Sequence, residues 1–363
     1  MPIILAGMDT GKILGIIDSN NPIMSDTLSD SESAPEVAAS LAVPYKDRSV
    51  GLVIFGVLTI LLGCLAGLMV LLMLVGQVAC AAQAPASQPP ASTMVLGAGV
   101  YGVLAVALVW LGIGSIMARR WARAMLLIFS WTWLGIGVLT MVFMVFFAPN
   151  FKAAMVAEMP PGQPALPPAA LNTIMVFIFL VLAVVYIILP AAWTFFYHSR
   201  HVKTTCEARD PQTRWTDTCP LPVLGLSLWL MVSVPMFLLM PWLWHGVTPF
   251  FGMFLTGLPG SAVWLVLAGL WSYAAWLLYK LEARGWWLAL ILWLFFLVST
   301  TLTYARHDLT EMYSLMGLTP EQLEPLKATG LMNGNYMIWL SLLWIFPLLG
   351  YMAWIKKYFR RSA

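Results

Sequence analysis

Residues 50–75 read VGLVIFGVLTILLGCLAGLMVLLMLV, with no Asp, Glu, Lys, Arg or His among them. A helix that crosses the hydrocarbon core of a bilayer needs about 20 mostly apolar residues, whereas a membrane β-strand needs only about 9–11 alternating ones. The run is continuous and too long for a strand. In lipid its backbone must satisfy its own hydrogen bonds, which a helix does. It therefore predicts a transmembrane helix. Seven further runs have the same character: Met94–Met117, Ala124–Phe147, Thr173–Tyr197, Leu221–Met240, Ser261–Tyr279, Trp286–Tyr304 and Asn335–Ile355. None contains an acidic or basic side chain or a histidine. The expected fold is an all-α integral membrane protein of eight transmembrane helices.

Composition agrees. Of 363 residues, 61% are hydrophobic and 10% charged, with a mean hydropathy of +0.84. Soluble domains carry about 45–50% apolar and about 25% charged residues. This excludes an ordinary soluble domain, a disordered protein and a nucleic-acid binder. The bilayer itself is the first expected partner. The net charge of +3 says little alone, because charge is segregated along the chain.

Lys and Arg near span ends set orientation. Fifteen fall on one side, among them Arg119, Arg120, Arg123, Arg284, Lys356, Lys357, Arg360 and Arg361; Lys152, Arg306 and Lys327 fall on the other. The alternation holds at every boundary. It predicts an inner-membrane, multi-pass protein with both termini cytoplasmic and those eight residues as topology anchors.

The domain organisation follows. Residues 1–49 read as a disordered, acidic cytoplasmic tail, because Met24–Glu36 is rich in Ser, Asp and Glu. No signal peptide is evident, and the distinct character of residues 1–23 raises Met24 as the start. Residues 50–197 form a first four-helix half, 198–220 a cytoplasmic linker and 221–363 a second half. Gln77–Thr93 and Asn150–Asn172 are rich in Ala, Pro and Gln and read as extended external loops. Trp242–Gly260 is apolar without Lys or Arg and reads as interfacial or re-entrant. Thr319, Pro320 and Gln322 make a capping box, with Leu318 and Leu323 as its staple.

Internal similarity points to duplication. Arg123 and Arg284 open the third and seventh spans 161 residues apart, Trp133 and Trp293 follow 160 apart, and Pro190 and Pro347 sit late in the fourth and eighth spans 157 apart. Two tandem halves of four spans enter the membrane in the same direction, giving a parallel repeat. Pro190, Pro235 and Pro347 are expected to kink their helices. Small-residue pairs, Gly63 with Gly67 and Ala98 with Gly102, and Gly112, Gly114, Gly135 and Gly137 are expected to let the early spans pack closely.

Chemistry is sparse. Charged groups inside membranes are costly and mark function. Their absence from the spans disfavours a proton-coupled carrier, an intramembrane protease and a haem protein. The richest stretch is the linker, where His198 and His201, on one face if the helix of span four continues, and Cys206 and Cys219 offer two imidazoles and two thiols. Their spacing, His-x2-His-x4-Cys-x12-Cys, lacks a C-x2-C knuckle. The alternative reading is a basic helix end facing anionic headgroups, with Glu207, Arg209, Asp210 and Arg214 as a salt-bridged linker. Asp217 or Thr218 is expected to cap span five. No cofactor is implied. The leading functional expectation is a non-enzymatic scaffold or accessory subunit with protein partners. A passive or lipid-handling transporter, with a path between the halves and an unknown small-molecule substrate, is the second. An enzyme or metal site at the cytoplasmic interface is the third.

Overall fold

The computed structural model describes residues 46–83, 91–157, 167–320, 323–324, 327, 332 and 334–359. The N-terminal tail, Met24, Gln322, Arg360 and Arg361 lie outside them. Eight helices are long and apolar enough to cross a membrane, and each overlaps one predicted span. The chain is a multi-pass membrane protein.

The spans are α1 Ser49–Gln83, α2 Ala91–Ile116, α3 Arg120–Ala157, and a fourth made of α4 Pro168–Ala183, a π turn Val184–Ile188 and α5 Leu189–His198. A short helix α6, Arg200–Arg209, follows. Then come α7 Leu221–Leu243, a hairpin of β1 Thr248–Phe250 and β2 Met253–Leu255, α8 Gly257–Tyr279, α9 Ala283–Tyr304, the short α10 Leu309–Leu315 and α11 Gly334–Ile355.

The helices overrun the apolar runs. α1 continues to Gln83 and α3 to Ala157, and Pro168 opens α4. The described parts of the expected extended loops are thus helical. Ala-rich sequence has high helix propensity, and adding turns to a formed span avoids a new nucleation step. Lys152 Nζ donates to Asn172 Oδ1 at 2.7 Å across this pair.

α1 and α2 form the closest helix pair in the first four spans. A Cβ on Gly56 would lie 2.9 Å from the Gly112 carbonyl oxygen, and one on Gly112 would lie 2.7 Å from that of Gly56. Seven residues along, a Cβ on Gly63 would lie 3.0 Å from the Ala105 carbonyl oxygen. The glycines let the backbones approach, and Ile60, Val109 and Ile116 fill the space a Cβ would take. Gly56 and Ala105 belong to this seam and were not singled out from sequence. Gly102 and Gly135, which were, have open space where a Cβ would stand.

A buried cluster joins α1, α2, α3 and α5 through Leu52, Leu111, Leu126, Trp193 and Tyr197. Phe55 stacks on Phe196 at 4.1 Å, and Trp193 Nε1 donates to Thr59 Oγ1 at 3.1 Å. Ser115 Oγ donates to the Leu52 carbonyl at 3.0 Å and so accepts from the Tyr197 hydroxyl at 2.7 Å. A second cluster joins α7, α8, α9 and α11. Its centre is aromatic: Phe237 stacks on Trp264 at 5.7 Å and on Phe296 at 5.8 Å, and meets Trp271 edge-on at 5.2 Å. α3 touches α7 and α11, with Ile128 against Gly225 and Phe147 edge-on to Tyr336 at 5.0 Å.

The prolines act differently from one another. α7 and α11 run unbroken through Pro235 and Pro347. Pro190 follows the π turn, where the Leu189 N–H donates to the Val184 carbonyl five residues back. Proline has no N–H to return to the carbonyl four residues earlier, and the wider turn accommodates that.

Trp242–Gly260 holds the β-hairpin, a departure from the all-α expectation. Phe250 pairs with Met253, and the two residues between them, Phe251 (φ 44) and Gly252 (φ 94), both have positive φ. That is the twist a two-residue hairpin turn requires. Phe-Gly is not the usual Asn-Gly signal. Here α9 supplies the support: Phe251 N–H donates to Ser299 Oγ at 3.2 Å and Gly252 N–H to Thr303 Oγ1 at 3.1 Å. The same end holds α10, where Asp308 Oδ1 accepts the Gly334 N–H at 3.0 Å. The Leu323 N–H donates to the Thr319 carbonyl at 3.1 Å, where the helix start was expected.

At the other end the basic span termini meet. Lys46, Arg119, Arg120, Lys203, Tyr279, Lys356 and Pro222 are drawn together there by polar and ring contacts among α1, α3, α6, α7, α8, α9 and α11. This is the basic end of the bundle.

Candidate functional site

The site grows from the turn that joins α2 to α3. Ala118 takes a left-handed conformation (φ 52), its N–H donates to Ser115 and the Arg119 N–H donates to Gly114. These bonds close a Schellman motif, with a buried alanine where glycine is usual. The chain reverses tightly, and α3 begins with Arg119, Arg120 and Arg123 in its first turn.

α6 lies across this start and across the start of α1. Ser199, in an extended conformation (φ −56, ψ 133), separates α5 from α6. The expectation that His198 and His201 share one continuous helix face fails for that reason. From α6, His201 Nδ1 accepts the Lys46 N–H at 3.4 Å and Thr205 Oγ1 accepts the Arg48 N–H at 3.2 Å. Side chains of α6 thus meet donors at the opening of α1, where a helix lacks its own acceptors.

Asp210 ends α6 and is the hub. It is 2% exposed, and its Oδ2 accepts the Arg120 backbone N–H at 3.3 Å, capping α3 from a distance. Arg214 grips both oxygens, with Nη2 to Oδ1 at 2.9 Å and Nε to Oδ2 at 3.3 Å. Arg119 adds a contact at 3.8 Å. The Arg214 hydrogen bonds hold the Asp210 carboxyl below its ordinary pKa; burial opposes them, and the Arg120 N–H assists. Arg120 itself pairs with Glu207 at 3.6 Å and Asp217 at 3.5 Å, and Lys203 pairs with Glu207 at 3.8 Å. Arg209 leaves the expected linker cluster and reaches Asp47 at 3.4 Å.

Asp217 does not cap span five. Its Oδ2 accepts the Arg214 N–H at 2.9 Å and closes the turn Trp215–Asp217, while Pro220 occupies the N-cap of α7. Thr218 Oγ1 bonds to the Trp215 carbonyl at 2.7 Å.

Between α3, α6 and this turn lies a cleft of about 160 Å³. Arg120, Arg123, Lys203, Glu207 and Asp217 line it together with Cys206, Thr216 and Cys219. Of the four proposed metal ligands the structure brings the two thiols to one cleft. His198 is exposed at the end of α5, and neither histidine lines the cleft. Among the described residues no group of three or more His, Cys, Asp or Glu is placed to hold a metal ion.

Cys206 and Cys219 are free and buried, and burial pushes both thiols up to about 11. The Arg123 charge pulls Cys206 the other way without overcoming that. At pH 8 only about one thiol in a thousand is then ionised, and the thiolate is the nucleophile. Folded protein treated with N-ethylmaleimide at that pH should leave both cysteines unmodified by mass spectrometry, and denatured protein should be modified at both. Rapid labelling of either in folded protein would contradict the burial.

Two further topology anchors stand over aromatic rings. Lys356 Nζ stands 4.7 Å from the Trp286 ring and 5.0 Å from that of Trp287, and Lys357 Nζ stands 4.7 Å from Trp354. Arg284 is exposed. Sequence reasoning marked Arg119, Arg120 and Arg123 as anchors and placed Asp210 with Arg214 in a salt-bridged linker, a pair the structure contains; it missed the burial of Asp210, its bond to the start of α3, and Thr216. The signal for the hub was an acidic residue within a basic linker, which has no depth until α6 is folded.

Comparison with known family models, curated proteins and solved structures returned no match.

Proposed function

We propose that the chain is a non-enzymatic scaffold or accessory subunit of the inner membrane, made of two tandem four-helix halves in parallel orientation with both termini in the cytoplasm. The observation that carries this reading is the filled interior. The centre of the second half is a continuous aromatic stack around Phe237, and the intramembrane hydroxyls of Ser233 and Thr300 bond to carbonyls of their own helices, at 2.7 Å and 2.6 Å. The seam between the halves is occupied by Ile128 against Gly225 and by Phe147 against Tyr336. Rigid packing of this kind suits a protein that presents surfaces.

Those surfaces are available. Spans one, two and four bury only 17%, 17% and 11% of their apolar windows, against 33%, 44% and 28% for spans five, six and seven. Partner helices and lipid share such faces. The tandem arrangement draws support from the second connection in each half. Like Ala118, Leu281 is a non-glycine residue in the left-handed region (φ 60), with Leu281 N–H donating to Leu278 and Glu282 N–H to Leu277. The same Schellman turn thus precedes both Arg-bearing spans. The 15-to-3 division of basic residues supports cytoplasmic termini.

The test is isolation of tagged protein from its native membrane in a mild detergent, followed by native mass spectrometry. The expected result is at least one other membrane protein in constant stoichiometry through high-salt washes. Repeated recovery of the lone chain would sink the reading. A lipid-handling role is the second reading, favoured by the cleft at the basic end.

A further inference from the structure

The cleft at the start of α3 holds more hydrogen-bond donors than the protein uses. Arg120 Nε, Arg123 Nε and Thr216 Oγ1 are buried and have no protein partner, and all three residues line this one cleft. Seven side-chain atoms are in that condition among the described residues, and three of them converge here. Thr216 is 2% exposed, and its hydroxyl finds no acceptor in the protein. A buried donor without an acceptor is costly, and such a concentration calls for a ligand rich in acceptors.

Charge says which kind. The cleft wall carries the cations Arg120, Arg123 and Lys203 and the carboxylates Glu207 and Asp217. Both carboxylates are engaged by Arg120, and Glu207 also by Lys203. None of the described ion pairs includes Arg123. One positive charge is therefore left over, beside the positive end of α3. A guanidinium fork matches phosphate oxygens in geometry and charge.

Depth says where the phosphate comes from. Ala124, the next residue, lines the cleft and opens the apolar run of span three. The cleft therefore sits where a span leaves the hydrocarbon, at the level of lipid headgroups. We propose that this cleft is a binding site for a phosphate anion, supplied by the headgroup of an anionic phospholipid and held by Arg123 and Thr216. A phosphodiester carries one negative charge, equal to the charge left unpaired. Bound there, it joins α3 to α6 and to the Trp215–Asp217 turn, coupling the first four spans to the segment that leads into the fifth.

The test compares the full chain in nanodiscs of phosphatidylcholine alone and in equal parts phosphatidylcholine and phosphatidylglycerol, with retained lipid counted by native mass spectrometry. The wild type should keep one phosphatidylglycerol and no phosphatidylcholine. Arg123→Gln should lower that occupancy about tenfold, and Thr216→Val a few-fold, because each removes a donor to the phosphate. Arg284→Gln, at an exposed arginine of another basic span start, should match the wild type. If Arg123→Gln fails to fold, Thr216→Val carries the test, since it keeps the side-chain shape and removes only the hydroxyl. Undiminished phosphatidylglycerol retention in Thr216→Val, or equal retention of both lipids by the wild type, overturns the proposal. In phosphatidylcholine nanodiscs, inorganic phosphate and glycerol phosphate should give no saturable thermal shift. A shift that Arg123→Gln abolishes would overturn the lipid source and assign the cleft to a soluble phosphate.

Discussion

Gly137→Ala is expected to destabilise the protein by about 1–3 kcal/mol, while Gly135→Ala, two residues earlier on the same helix, is neutral or stabilising. A Cβ on Gly137 would collide with the Tyr186 carbonyl oxygen and lie 2.9 Å from its carbonyl carbon. Both are backbone atoms, which cannot swing aside. Tyr186 lies inside the π turn, four residues before Pro190. Proline withholds the N–H that this carbonyl would accept in a regular helix. The widened turn brings the carbonyl against α3, and a residue without a Cβ leaves room for it. Alanine also gains up to about 1 kcal/mol over glycine in helix propensity, which offsets part of the cost at position 137 and favours the change at 135. A Cβ on Gly135 meets nothing within 4 Å. Thermal unfolding followed by tryptophan fluorescence in detergent separates the two variants. A Gly137→Ala protein melting at or above the wild-type temperature would refute the contact.

Asp210→Asn is expected to loosen α6 from the start of α3 and to raise amide exchange in Arg200–Arg209 by about tenfold or more at neutral pH. The asparagine keeps the size of the side chain. It loses the charge that Arg214 grips at 2.9 Å and 3.3 Å and that Arg119 approaches at 3.8 Å. Charge-assisted bonds of this kind are about twice as strong as neutral ones. The pH dependence has a definite sign. The folded carboxyl titrates below its unfolded value of about 3.9, so its contribution is present at all higher pH. It is lost only as acid carries the medium down through the lowered folded value. Protection factors for α6 should therefore stay level from neutral pH to about pH 4 and fall below it. Protection that already falls well above pH 4, or unchanged exchange in Asp210→Asn, would remove Asp210 from its role as hub.

How far the sequence could be read depends on the kind of feature. The spans were legible because hydropathy adds along the chain and each run is about long enough to span the hydrocarbon core. The sorting of Arg119, Arg120, Arg123, Lys356 and Lys357 to one side was legible for a related reason: charges cluster at the ends of runs. The caps of the linker were not. Asp217 has the right residue type and spacing to cap span five, yet it serves the turn that begins at Arg214. The two histidines were placed on one face by assuming a helix that Ser199 interrupts. Phe251-Gly252 carries no strong turn signal, and the hairpin exists because Ser299 and Thr303 of α9 take up its N–H groups.

Sequence alone determined that eight helices are long and apolar enough to cross a membrane, where the apolar run of each lies, and how the basic residues at their ends are sorted. Tertiary structure alone decided which glycines are contacts. Gly56, Gly112 and Gly137 face backbone, while Gly102 and Gly135, identical in kind, face open space. It also decided that Arg123 and Thr216 share a cleft with donors to spare, while Arg284, which opens the seventh span as Arg123 opens the third, is exposed. The physical reason is the solvent. In water a helix declares its buried face by being apolar on one side. In lipid the face toward a neighbour and the face toward the acyl chains are both apolar, so rotation and register leave little mark on the pattern until the helices are packed.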